Sequence, residues 1–534
     1  METSTKQYYK VDKKDIHRFR TTLESYDGMA LVRTLDPGSG LMEVNIAPGC
    51  EDLVREAIRG LGKGRRAVLA VPCRDEVAGE QCRFFIFTMG CQMNEYDSDY
   101  AARCLVQHGL APAESPEEAD ILIVNTCSVR EKAEQKAMST LGRMSRLKKR
   151  GRARILVMMG CVAQQEGEVL LKRFPELDLV IGARESPRTA ALVARTMETG
   201  ERVAAVDIDH PPMTAPAKGA EEYFKGRVKD FITIMQGCDN FCSYCIVPYV
   251  RGREAGRSPA DILEEAEGLV AGGVKEITLL GQNVNSYRWD QGAGEVDFAG
   301  LLRMMAEEFK GRLLRLRFTT SHPKDLTTGL IECFRELEVL CPHIHLPFQA
   351  GSDRILRLMN RRYTRTHYMQ LVAALREARP GIAITSDVMV GFPGETHEDF
   401  LDTLDLIEEV QFDNLYSFKY SDRKGTAAAA MKEKVPEEEK WRRLSELQAL
   451  QNSITIKKNQ ALVGSETEVL VEGRSKKGGD LSGRTPTNYV VNFPGPGDLV
   501  GRVVRVVVRE AKAHSLYADA GKIVSEPCVQ GSEG

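Results

Sequence analysis

No stretch of this 534-residue chain is apolar for long enough to span a bilayer, and its polar, charged start does not read as a signal peptide. Neither sign of charge prevails. The 73 Lys plus Arg against 76 Asp plus Glu leave a formal net charge of -3, so any surface for a polyanion must be local. Cysteine is not packed into a small scaffold. The 13 cysteines are odd in number and spread along the chain, which disfavours a disulfide framework and fits reduced thiols serving metals in the cytosol. What remains is an ordinary soluble composition, 42% hydrophobic and 28% charged, at a length that suggests three or four domains. A cytoplasmic protein without a membrane partner is expected.

Cys238, Cys242 and Cys245 stand in a C-x3-C-x2-C spacing directly after the apolar run Phe231 to Met235. Thiolates select iron–sulfur or zinc over harder metals. Structural zinc usually takes four ligands, often as two CxxC or CxxH pairs, and no second pair follows here. Three thiolates on one loop hold three irons of a four-iron cluster and leave the fourth iron open for a ligand. With Tyr244 in the last gap, the loop resembles that of radical S-adenosylmethionine (SAM) enzymes. In that family the open iron chelates SAM, and the reduced cluster cleaves it to methionine and a 5′-deoxyadenosyl radical.

Residues 1–82 stand apart as a small α/β module with no assignable chemistry. They carry a strand from Val32 into a turn at Pro37 to Gly40, a strand Met42–Ile46 and a helix over Glu51 to Gly60. Residues 83–209 alternate strand and helix, with strands expected at Phe84–Phe87, Ile121–Asn125, Ile155–Met159 and Leu179–Ile181. Helices are expected at Tyr96–His108 and Val129–Leu147. This pattern predicts an open parallel sheet with helices on both faces. Each of the first three strands runs at once into a cysteine, Cys91, Cys127 or Cys161. Such sheets gather ligands at the carboxyl ends of their strands, so the three loops can bring together thiols 36 and 34 residues apart. They read as ligands of a second cluster. The basic run Arg143 to Arg154 has seven Lys or Arg and no acid, and fits either a solvated helix end or a phosphate contact.

A proline-rich linker, 210–223, precedes a second alternating region, 224–456. Strands are expected at Ile232–Met235, Glu276–Leu280, Leu314–Phe318, Ile344–Leu346, Ala383–Val388 and Asn414–Phe418, with helices such as Ala260–Ala271 and His397–Glu409 between them. Parallel barrels place their sites at the carboxyl ends of strands. The loops there carry Gln282, Asn283, Ser321, Gln349 and Gly391, with Asp387 on the fifth strand, and these are the candidate SAM contacts. His322 and His345 read as structural. Residues 457–524 turn to short strands between Gly and Pro turns, predicting a small antiparallel, OB-like barrel, with 525–534 as a tail. This segment holds 11 Lys plus Arg against 7 Asp plus Glu. Arg474, Lys476, Lys477 and Arg484 flank one loop, and Arg502, Arg505 and Arg509 recur along a strand. The excess suits a phosphate backbone or an ordinary solvated face.

Residues 83–524, about four-fifths of the chain, resemble the methylthiotransferases. The motifs Gly90-Cys91-Gln92-Met93-Asn94-Glu95-Tyr96-Asp97-Ser98, Asn125-Thr126-Cys127-Ser128-Val129-Arg130, Ile246 to Glu254 and Leu280 to Asn285 are similar to the MiaB type. The resemblance implies an α/β architecture: an open-sheet N-terminal domain, a partial (β/α)6 radical SAM barrel and a C-terminal RNA-binding TRAM barrel. Residues 1–82 are an extension that the family does not typically carry. It implies two 4Fe-4S clusters, one on Cys91, Cys127 and Cys161 and one on Cys238, Cys242 and Cys245, with SAM as cofactor. The implied reaction adds a methylthio group to C2 of N6-isopentenyladenosine beside the anticodon of tRNA, on its 3′ side. The alternatives are another modified adenosine, a ribosomal protein side chain, or a non-catalytic RNA-binding iron–sulfur protein. An electron donor and a sulfur source are implied but not identified. The sequence is compatible with a monomer and does not fix the oligomeric state.

Overall fold

A strand covered on both faces must be apolar at consecutive positions. Ile121–Thr126 and Ile155–Gly160 are of this kind, with every residue buried. The computed structural model describes residues 5–11, 13–24, 29–36, 41–50, 53–54, 57–58, 67–70, 81–128, 131–151, 153–209, 226–290, 294–475, 478–520 and 522–523. The chain forms two compact units, Met1–Tyr223 and Phe224–Gly534.

In the first unit a parallel sheet runs, edge to edge, through Val203–Ala205, Leu179–Ile181, Ile155–Gly160, Ile121–Thr126, Arg83–Thr88 and Ala111–Pro112. Ile121, Ile123, Ile155 and Val157 pack against Ala101, Leu105 and Val193 on one face. Leu122, Val124, Leu156 and Met158 pack against Leu141, Met144 and Leu170 on the other. The expected open sheet is present, and the helices after its first two long strands are Gln92–Gln107 and Glu131–Lys149. The two edge strands are too short to leave a periodic trace in the sequence.

The same unit holds an antiparallel sheet in the order Ala30–Asp36, Leu41–Ile46, Thr5–Val11, Ala67–Ala70, with the helix Ile16–Glu24. The sequence reading misses Thr5–Val11 and this helix. Among the side chains described, each shows two buried apolar residues, Tyr9 and Val11 in the strand and Phe19 and Leu23 in the helix. The expected turn Pro37 to Gly40 lies outside the described residues, as does most of the expected helix over 51–60.

The second unit has six parallel strands among its described residues, in chain order. Lys229–Thr233, Glu276–Leu280 and Arg315–Phe318 form one ladder, and His343–His345, Ala383–Val390 and Asn414–Lys419 form another. An isolated bridge from Leu316 to Leu340, just ahead of His343–His345, brings the second ladder beside the first, giving a partial (β/α)6 barrel. One correction applies. The expected strand Ile232–Met235 breaks at Ile234, and Met235–Gln236 pairs antiparallel with Ala255–Gly256. That turn away from the sheet lifts the following cysteine loop over the end of the barrel.

The helix Glu437–Ala461 leads into a closed barrel of five strands: Glu466–Arg474, Leu481–Arg484, Val490–Phe493, Leu516–Ala518 and Val503–Ala511, the last pairing back onto the first. It is not wholly antiparallel, because Val490–Phe493 and Leu516–Ala518 run parallel. The barrel docks on the amino ends of the larger barrel's strands. Arg315 donates to the carbonyl of Arg484 at 2.6 Å, and Arg317 donates to those of Thr485 and Pro486 at 2.8 and 3.0 Å. Tyr489 OH donates to Asp413 at 2.7 Å.

Candidate active site

The sheet of the first unit sets Arg83–Thr88, Ile121–Thr126 and Ile155–Gly160 side by side, so their carboxyl ends are adjacent. Cys91 caps the helix Gln92–Gln107, Cys127 follows the middle strand, and Cys161 opens the next helix. Cys91 is exposed, whereas Cys127 and Cys161 are buried. Two asparagines tie the loops together. Asn94 donates to Asn125 Oδ1 at 3.1 Å and to the carbonyl of Thr126 at 3.0 Å, and Asn125 donates back to the carbonyl of Asn94 at 2.8 Å. Gly90, at φ +128°, leaves room where a Cβ would overlap that of Cys127. The backbone just before Cys91 therefore lies against the Cys127 side chain.

The basic run on this domain is partly occupied. Lys148 pairs with Asp178, Lys149 pairs with Glu176 at 2.9 Å, and the Arg143 guanidinium lies over the Phe87 ring. These contacts fit the helix-end reading, with cations complementing the C-terminus of Glu131–Lys149. Arg152 lies outside the described residues.

In the second unit the loop of Cys238, Cys242 and Cys245 is braced from all sides. Gly237 N donates to Gln282 Oε1 at 2.5 Å, Cys238 N to the carbonyl of Gly252 at 3.1 Å, and Ser243 N to that of Met359 at 3.0 Å. Asn360 donates to the carbonyls of Asn240 and Phe241, holding Phe241 at φ +46°, and Arg253 stacks on the Phe241 ring. A side chain at Gly237 would strike the carbonyl of Arg253, which explains the glycine before the first cysteine. Burial pushes the Cys238 thiol up to about 11, and burial with the neighbouring Cys242 pushes Cys245 up to about 12. The thiols thus sense one another, and a cation there would displace their protons. Among the described residues, no group of three or more His, Cys, Asp or Glu stands in ready-made metal-holding geometry. The case for ligation therefore rests on donor chemistry and loop construction.

Beside this loop, buried polar atoms without partners mark where a polar ligand fits. They are both side-chain atoms of Gln236, Gln282 Nε2, Asn283 Oδ1, Ser321 Oγ and His322 Nε2. All six lie at the carboxyl ends of the first three strands. The loops are tied together by Asn285, which exchanges hydrogen bonds at 2.9 Å with the backbone N–H and carbonyl of His322. A buried polar atom left unpaired costs about 1–3 kcal/mol, so such a cluster calls for an occupant. His322 accepts at Nδ1 from Lys324 N, which leaves the proton on Nε2. Burial, aided by Arg361, Lys324 and Arg362, pushes its pKa down to about 2, and the ring stays neutral.

The other candidates lie elsewhere. Gln349 N bonds the carbonyl of Asp387 at 3.0 Å, and the Asp387 carboxylate lies 3.5 Å from His345 Nε2. Gly391, at φ +71°, donates to Glu395 Oε1, and Lys440 occupies the space its side chain would need, so packing already requires a glycine there. The structure thus gathers Gln282, Asn283 and Ser321 into one cluster, and Gln349 and Asp387 into a second.

Family models match over residues 83–182 (uncharacterized protein family UPF0004), 232–407 (radical SAM superfamily), 460–520 (TRAM domain) and 9–64 (a domain of unknown function, DUF4911). The tRNA-2-methylthio-N(6)-dimethylallyladenosine synthase of Syntrophus aciditrophicus is 50% identical over 82% of this chain and 94% of its own length. That of Geobacter metallireducens is 52% identical over 82% of this chain and 97% of its own. The chain belongs to the tRNA-2-methylthio-N(6)-dimethylallyladenosine synthase family. Among solved structures, the radical S-adenosylmethionine methyltransferase TsrM of Kitasatospora setae shares the fold. The match has a TM-score of 0.50 at 15% identity, covering 66% of this chain and 75% of that one.

For this synthase-family chain the sequence reading missed Gln236, His322 as a pocket residue, and Arg361. Arg361 donates to Cys242 Sγ at 3.4 Å from a stretch 119 residues further on. Nothing in its local sequence points to the cysteine loop. The basic surface of the last barrel also changes on inspection. Arg484 pairs with Glu472 at 3.3 Å, Arg505 with Glu468 at 3.1 Å and Arg509 with Asp519 at 2.5 Å. Five of the seven arginines and lysines singled out there are thus paired with an acid or outside the described residues, Lys476 and Lys477 being the two outside. No helix among the described residues is long and apolar enough to cross a membrane.

Proposed function

We propose that this chain adds a methylthio group to C2 of N6-isopentenyladenosine next to the anticodon, on its 3′ side, in tRNA. The observation that carries this reading is about 50% identity, over more than nine-tenths of their length, to synthases named for that product. It is supported by two separate sets of three cysteines, one spread over three neighbouring loops and one on a single loop, each at the carboxyl ends of parallel strands. In this reading Cys91, Cys127 and Cys161 hold one 4Fe-4S cluster, and Cys238, Cys242 and Cys245 hold the other. The domains run 83–209, 224–456 and 457–524, joined by the linker 210–223, with 1–82 as an accessory module and 525–534 as a tail. When bound, the clusters and SAM supply the radical and the sulfur and methyl groups.

The protein's own contribution is positional. Gln236, Gln282, Asn283, Ser321 and the Nε2–H of His322 line a polar pocket beside the second loop, suited to the amino acid and ribose portions of SAM. Gln349, Asp387 and Gly391 complete the candidate contacts further round the barrel. The C-terminal barrel contacts tRNA, an electron carrier reduces the clusters from outside, and the protein works in the cytoplasm. Nucleoside mass spectrometry of tRNA from a strain lacking the gene tests the reading. Loss of the 2-methylthio nucleoside with build-up of isopentenyladenosine supports it, and an unchanged profile overturns the substrate.

A further inference from the structure

Arg361 is a buried cation whose hydrogen bonds reach no carboxylate. Its Nη2 donates to the carbonyl of Pro347 at 3.0 Å, its Nε to Tyr363 OH at 3.2 Å, and its Nη1 to Cys242 Sγ at 3.4 Å. Tyr363 is fixed in turn by donating to the carbonyl of Phe348 at 2.8 Å, and its ring meets His322 edge-on. The guanidinium is thus locked by neutral oxygens, with one fork directed at a cysteine sulfur. A buried guanidinium without an anion is costly, and guanidinium is held wherever a planar, fixed donor to an anion is needed. Tyr363 and Tyr244 also face it, but burial raises both phenols, so the Cys242 sulfur is the group in its shell that metal ligation would make an anion.

We propose that Arg361 is a positioning residue that sets the reduction potential of the cluster on Cys238, Cys242 and Cys245 by donating a charge-assisted hydrogen bond to the Cys242 sulfur. The inference rests on the reading that these three cysteines carry a cluster. Reduction adds one electron from a low-potential carrier and no proton, so the reduced cluster bears one more negative charge. A fixed positive charge against a ligand sulfur stabilises that state over the oxidised one, since hydrogen bonds to the sulfurs and nearby charge set cluster potentials. In a buried site this is screened far less than at the surface. Arg361 thus makes the cluster easier to reduce, while the neutral His322 adds no competing charge.

The test uses full-length protein in which Cys91, Cys127 and Cys161 are replaced by Ala, so that one cluster remains. About four irons per chain in this background verify the underlying reading, and absence of iron overturns that reading on its own terms. Given a loaded cluster, its midpoint is titrated with electron paramagnetic resonance as the signal. Arg361→Gln is expected to lower the reduced-to-oxidised ratio at a fixed potential at least tenfold, which is ~59 mV for one electron. Arg361→Lys, which keeps the charge, is expected to stay within threefold of the parent. A loaded Arg361→Gln protein with an unshifted midpoint overturns the proposal. So does an Arg361→Lys shift as large as the Gln shift, because that marks a packing role. Should the Gln variant not load, Arg361→Met fills the same space without charge and is read in its place.

Discussion

In the proposed reading, single residues divide the labour between the two sets of three cysteines. Cys242→Ala is expected to abolish SAM cleavage, measured as 5′-deoxyadenosine in reduced, anaerobic protein. Cys161→Ala should leave that cleavage within about tenfold of the parent while 2-methylthio product falls below detection. Equal loss of both activities in Cys161→Ala would contradict the separate roles. His322 makes a second case. Its folded pKa lies far below the unfolded value, so the unfolded chain binds the proton more readily. Stability is therefore full above pH 6.5 and falls as the pH drops below it. Between pH 7 and pH 5 this one ring costs about 2 kcal/mol. Urea denaturation of His322→Asn should show a correspondingly shallower acid loss, and an identical slope would show that the ring does not carry the effect. The cysteines were legible because their chemistry is local: a spacing on one loop, or a position after a strand. Gln236, His322 and Arg361 were not, because their roles arise only where loops distant in the chain meet.

At the level of elements, the polar ties between loops matter more than their sequence distance suggests. Removing the Asn125 amide strands the partners of at least three hydrogen bonds in a buried setting. Asn125→Ala is expected to cost about 1–3 kcal/mol and to lower iron loading of the first unit. Thermal melts and iron analysis check the two effects separately. Gly160, at φ +95°, would place a Cβ 2.5 Å from Asn125 Oδ1, so Gly160→Ala should disturb the same network through steric pressure. The long strands could be read from sequence because both faces are covered and the runs are apolar throughout. Leu481–Arg484 could not, since Leu-Ser-Gly-Arg carries turn chemistry, and its glycine is there because the carbonyl of Leu470 lies against it. The break after Thr233 was hidden too, as Ile234 and Met235 continue the apolar run while the hydrogen bonds change partner.

For the molecule as a whole, composition foretold that any nucleic-acid surface would be local, and the structure narrows it further. Because Arg505 and Arg509 already face acids, Arg505→Ala or Arg509→Ala should change the slope of log affinity for tRNA against log salt by less than about 0.9, the value of one phosphate contact. A change of a full contact in either variant would show that the ion pair opens to phosphate. The docking of the small barrel rests on Arg315 and Arg317 beneath the larger one. Arg317→Met should speed proteolytic cleavage after the long helix Glu437–Ala461 while leaving SAM cleavage intact. The order of the domains was plain from changes in strand and helix rhythm. Their docking was not, because it runs through main-chain carbonyls that any residue supplies.

Neighbouring strands in a sheet lie about 4.8 Å apart whatever sequence connects them. With Cys91, Cys127 and Cys161 at the ends of three adjacent strands, the pitch between their backbones is fixed by the hydrogen-bond ladder. The 36- and 34-residue separations play no part in it. Evolution is therefore free to lengthen or shorten the intervening helices without disturbing the thiols. One residue added within any of the three strands would shift the register of its ladder and carry the following cysteine out of line with the other two. Tolerance to insertion in this domain follows the ladder, and a scan of single-residue insertions would trace it.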